Sequence, residues 1–161
     1  MRQTTNFSVR ILAIAAMLFI SMCTFAQETA SVVRYNKNTQ SKETLCSVKY
    51  WVSGNKFYVD TPFSYLGIIF SDNAGAYKAE KSLVLKKDNS GNYFTTLSNS
   101  SFNNISGYHI TGIVIRNCKL SSIKNRQCYD AYLYNNVKEI PSWRGTSSLN
   151  TTTEKIINQL K

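Results

Sequence analysis

The chain has 161 residues, 19 lysines and arginines against 9 acids, and a formal charge of +10. There is no internal repeat and no low-complexity tract long enough to matter, and four cysteines with a single histidine leave little material for a metal centre. Excess positive charge favours approach to anionic surfaces, although no run of basic residues is longer than Lys86-Lys87.

The first segment reads as an export signal. Arg2 and Arg10 flank an acid-free start, the apolar run ILAIAAMLFI follows, and Thr24 and Ala26 are small residues ahead of a cleavage point before Gln27. The run is too short and too interrupted, by Ser21, Cys23 and Thr24, for a membrane anchor. Lipidation at Cys23 is the rival, but Met22 stands where a lipoprotein signal carries a small side chain. The expected destination is therefore the periplasm or the exterior, as a secreted chain of about 135 residues, a length that fits one domain.

Residues 27 to 44 are polar and read as a flexible lead-in with an optional strand near Val32 to Tyr35. From 45 to 148 the sequence alternates short β-branched and aromatic stretches with turn clusters. Leu45 to Val52 places Cys46, Val48, Tyr50 and Val52 on one face; Phe57 to Val59 returns from it after Ser53-Gly54-Asn55. Tyr65 to Phe70, Tyr77 to Lys87, Tyr93 to Leu97, His109 to Arg116 and Cys128 to Tyr134 continue the pattern, with turns at Asp60-Thr61-Pro62, 71 to 75 and 88 to 92. Seven or eight strands without intervening helices predict an all-β, antiparallel sandwich or small barrel. Mid-strand lysines such as Lys49 and Lys81, on short segments, argue against an outer-membrane barrel. Residues 149 to 161 end in a short helix, with Thr151 and Glu154 at capping-box spacing and Ile156, Ile157 and Leu160 on one face.

Cleavage would leave Cys46, Cys118 and Cys128, enough for one disulfide and one thiol in an oxidising compartment. Cys118 and Cys128 face each other if 109 to 118 and 128 to 134 are the arms of a hairpin, at a separation a disulfide tolerates. The loop they would close carries Lys119, Lys124 and Arg126 and no acid.

Catalytic patterns are missing from the linear sequence. His109 and Cys118 fall on opposite faces of an unbroken strand, so they do not form a nucleophile and base. Asp60, Asp72 and Asp88 occupy turns, where they serve the backbone. DNSGN lacks the glycine and glutamate of a calcium loop, and there is no phosphate-binding glycine motif and no G-x-S-x-G elbow. Neither a metal nor a cofactor is expected, and no nucleic-acid motif is present.

Ten tyrosines, two tryptophans and many asparagines are suited to contact surfaces, although Tyr50, Tyr58, Tyr65 and Tyr77 read first as sheet packing. Alternation sets Asp130, Tyr132 and Tyr134 on one face and Tyr129, Ala131 and Leu133 on the other; the second set reads as core and the first as exposed. Trp143 and Arg144 follow Pro141 in an irregular segment. The residues selected for binding are Lys119, Lys124, Arg126, Tyr132, Tyr134, Trp143 and Arg144. The leading expectation is a non-enzymatic exported domain that binds a protein, glycan or acidic surface. An inhibitor or immunity-type protein with a stapled loop is the alternative, and a small metal-independent hydrolase assembled from distant residues is the third.

Overall fold

The computed structural model describes residues 26–36, 39, 41–99, 102, 106–117, 129–138 and 148–161. Nine strands are present among them: β1 (Glu28–Asn36), β2 (Ser41–Ser53), β3 (Lys56–Val59), β4 (Tyr65–Ser71), β5 (Tyr77–Val84), β6 (Lys86–Lys87), β7 (Tyr93–Thr96), β8 (His109–Asn117) and β9 (Tyr129–Asn135). One helix, α1 (Thr151–Leu160), follows. All strand pairs are antiparallel and belong to one sheet, in the order β5-β4-β8-β9-β1-β2-β3-β7-β6.

The two ends of that order, β5 and β6, are consecutive in the chain. Only Leu85 separates them; it is buried and its N–H donates to the Ser64 carbonyl at 3.1 Å. The stretch expected as one strand from Tyr77 to Lys87 therefore bends at Leu85, pairing with β4 before the bend and with β7 after it. The sheet curls into a nearly closed barrel because one piece of chain supplies both of its edges. This bend, together with a full β1 where only an optional strand was read, raises the count from seven or eight to nine.

Alternation determines what fills the barrel. Val48 and Tyr50 from β2, Phe57 and Val59 from β3, Leu66 and Ile68 from β4, Ile113 and Ile115 from β8, and Ala131 and Leu133 from β9 all turn inward and are buried. Cys46 shares the inward parity of Val48 yet is an exposed free thiol, because β2 extends beyond the end of the packed barrel. Lys81 also has inward parity, opposite Ile68, and its Nζ lies 5.6 Å from the centre of the Phe102 ring. A charged side chain turned inward on an edge strand opposes pairing with another chain.

α1 covers the end of the barrel that carries the β2–β3 turn. Its cap is Asn150, one residue before the expected Thr151: the Asn150 side chain accepts from the Thr153 N–H at 2.8 Å, and the Thr153 hydroxyl lies 2.8 Å from the Asn150 N–H. Asn150 also donates to the Tyr50 hydroxyl at 2.8 Å, and Gln159 donates to the Gly54 carbonyl at 2.7 Å. Ile156 and Leu160 reach the core. A helix of ten residues is marginal alone, so this docking is what holds it. Among the described residues no helix is long and apolar enough to cross a membrane.

Candidate functional site

The outer wall of β2, β3, β7 and β6 carries an aromatic ladder. The tight turn at Gly54-Asn55 pairs Ser53 with Lys56 and therefore Trp51 with Tyr58; β7 then sets Phe94 against Tyr58. All three point away from the core and are half-buried. The Trp51 and Tyr58 rings stack at 5.4 Å with 4° between their planes, and Tyr58 meets Phe94 at 5.8 Å, tilted. Each such pair contributes roughly 0.5–1.5 kcal/mol beyond its buried area. Lys56 Nζ lies 4.9 Å from the centre of the Phe94 ring, a cation–π contact. Lys49 shares the outward parity on β2, and Lys86 on β6 lies opposite Phe94; both are exposed.

This wall presents half-buried rings and carries three lysines, of which Lys56 has its ammonium over a ring. Asp60 stands at its margin, but its carboxylate is occupied by the Lys49 N–H at 3.0 Å and the Thr61 hydroxyl at 2.9 Å. Chemically, the arrangement offers C–H and ring-edge contacts with positive charge at their border, and no group positioned for proton transfer or nucleophilic attack.

On the opposite wall two carboxylates converge. Arg116 on β8 makes a bidentate pair with Glu80 on β5, with Nε and Nη2 each donating at 2.9 Å, and its Nη1 donates to Asp130 on β9 at 2.5 Å. The three side chains are 14–16% exposed. Burial alone would lower the Arg116 pKa; the Glu80 hydrogen bonds and the Asp130 charge outweigh it and hold the guanidinium ionised, above its ordinary value. Burial also raises the Tyr65 hydroxyl, with help from Glu80. Both acids are committed to one cation, so neither is set apart as a general acid. Two glycines make room for it. The Glu80 carboxylate lies directly over Gly67, with its Cδ 3.0 Å from where a Cβ would stand, and Ile69 crosses Gly112 at 2.9 Å in the same way.

Of the residues selected for binding from sequence, Tyr132 and Tyr134 lie on β9, none lies on the aromatic wall, and the others fall in undescribed segments. Asn117 pairs with Tyr129, so β8 and β9 form the expected hairpin arms. Lys119, Lys124, Arg126, Trp143, Arg144 and the Cys118–Cys128 pair lie outside the described residues. Tyr132, expected on an exposed face, is 6% exposed, with its ring 5.8 Å from the Arg116 guanidinium carbon. Tyr134 is half-buried and packs against the core, because a bulge between Ile113 and Val114 interrupts the alternation of β9. Ala131 and Leu133 are core, as read; Tyr77 is 42% exposed where packing was expected. His109 sits at the barrel rim with Nε2 2.7 Å from Asn73 Oδ1. No group of three or more histidines, cysteines or acids able to hold a metal occurs among the described residues.

Sequence reasoning passed over Trp51 and Phe94. The two-residue turn was enough to pair Trp51 with Tyr58, whereas Phe94 joins them through a β3–β7 contact that no local pattern announces. No family model matches the chain, and no curated protein or solved structure is significantly similar to it.

Proposed function

We propose that this protein is an exported, non-enzymatic barrel domain that binds an anionic glycan. The observation that supports this most is the Trp51–Tyr58–Phe94 ladder bordered by Lys49, Lys56 and Lys86. Sugar rings present C–H faces that pack on aromatic surface, and carboxylate or sulfate substituents pair with lysine at the border. The basic segment 119–127 and the Trp143-Arg144 pair are kept as sequence candidates for contact with such a ligand. Commitment of Glu80 and Asp130 to Arg116 weighs against the hydrolase reading.

The test is affinity electrophoresis in gels containing polygalacturonate, with dextran as the neutral control. Retardation by polygalacturonate alone, falling as salt rises, is the expected result. Equal retardation by dextran, or none by either polymer, would discard the proposal. Changing Lys119, Lys124 and Arg126 together to Ser measures the contribution of that segment, with a weaker but measurable retention expected.

A further inference from the structure

The covered end of the barrel holds a second feature, separate from the aromatic wall. Between α1 and the barrel rim is a cavity of about 430 Å³, within the ~300–1,000 Å³ usual for small-ligand sites. Its floor is apolar: Phe70 and Phe102, whose rings meet at 5.7 Å, with Ile110 from β8. Ile157 and Leu160 form its roof. Tyr108 and Leu149, each 43% exposed, line its lip. Five large hydrophobic side chains are exposed among the described residues, and two of them border this one opening, which separates it from the scattered exposure normal for any surface. The polar residues at the opening are His109, held by Asn73, and Lys161.

We propose that this cavity binds a medium-chain fatty acid, with the chain between Phe70 and Ile157 and the carboxylate at the Lys161 edge. An apolar interior with a basic edge selects an amphipathic anion over a sugar or a nucleotide, both of which would bury hydroxyls or phosphates against phenylalanine without partners. The cavity lies between the helix and the barrel rim, so its occupant is a small molecule and not a partner helix.

Isothermal titration of the purified protein with sodium laurate, below its micelle concentration, tests this. Saturable one-to-one binding is expected, weakened about tenfold or more by Ile157→Trp, which fills the space, and by Leu149→Asp, which places a charge on the lip without touching the core. Lys161→Glu should weaken laurate by about tenfold and leave dodecanol unchanged, separating the head-group contact from the chain contact. Absence of saturable binding, or binding indifferent to both Ile157→Trp and Leu149→Asp, overturns the site. Laurate binding unaltered by Lys161→Glu overturns the placement of the carboxylate.

Discussion

Asn150 joins the end of the chain to the barrel: its side-chain amide donates to the Tyr50 hydroxyl at 2.8 Å while its carbonyl oxygen caps α1. One side chain thus starts the helix and fixes its position. Asn150→Ala loses both contacts, about 0.5–2 kcal/mol for the cap and about 1 kcal/mol for the bond. Tyr50→Phe loses only the second, so thermal melts should rank wild type above Tyr50→Phe and Tyr50→Phe above Asn150→Ala.

The same tyrosine gives an alkaline limit. Burial holds the Tyr50 pKa above its ordinary value, with the Asn150 bond pulling part of the way back. The folded state therefore keeps a proton that the unfolded chain releases near pH 10, so the stabilisation is complete below that pH and is lost as pH rises through the folded value. Tyr65 is raised in the same direction. Tyr50→Phe should flatten the decline of stability above about pH 10 and leave the neutral range with only the hydrogen-bond loss, as followed by urea melts at each pH.

Arg116 neutralises two carboxylates that the fold removes from most of the solvent. Arg116→Met should cost about 3–5 kcal/mol by leaving Glu80 and Asp130 uncompensated. Adding Glu80→Gln and Asp130→Asn to that variant should restore much of the loss. Equal melting of the single and triple variants would show that charge burial is not the cause. Arg116→Lys retains the charge but not the bidentate fork, and should fall between them.

Gly67 is the space in which that fork forms. A methyl group there meets the Glu80 carboxylate, so Gly67→Ala should displace the acid and cost roughly 1–3 kcal/mol. In a Glu80→Ala background the same substitution should cost markedly less, a coupling that a double-mutant cycle reads directly.

Asp72 ties the β4–β5 turn, accepting from the Ala74 and Ala76 N–H groups at 3.0 Å and pairing with Lys78 at 3.2 Å. The Ala76 hydrogen bond, followed by that of Lys78, holds its pKa below the ordinary value. Its contribution is present above the unfolded carboxylate pKa and is lost as pH falls through the folded one. Amide resonances of Ala74 and Ala76 should move together in an acid titration, and Asp72→Asn should abolish that movement.

Local chemistry in the sequence was enough to place most of the strands, the turns, the shared face of Val48 and Tyr50 and the core positions Ala131 and Leu133, because alternation and turn residues act within a few positions. The bend at Leu85 was not legible, since Lys86 and Lys87 continue the strand pattern of Tyr77 to Val84 and only barrel closure separates them. Asn150 was overlooked as a cap for a similar reason: Thr151 and Glu154 imitate the box one residue later. Both walls depend on pairings between distant strands, β3 with β7 for Phe94 and β5-β4-β8-β9 for Glu80, Arg116 and Asp130. The bulge in β9 then moved Tyr134 away from the face that strict alternation assigns it.

The most direct test of the glycan proposal is the affinity for polygalacturonate of the wild type against Trp51→Ala/Lys56→Glu/Lys86→Glu, measured by surface plasmon resonance at fixed ionic strength. These side chains lie outside the core, so the variant should stay folded. The account predicts at least a tenfold loss, with the far-ultraviolet circular dichroism unchanged. Undiminished binding by the folded variant would contradict it.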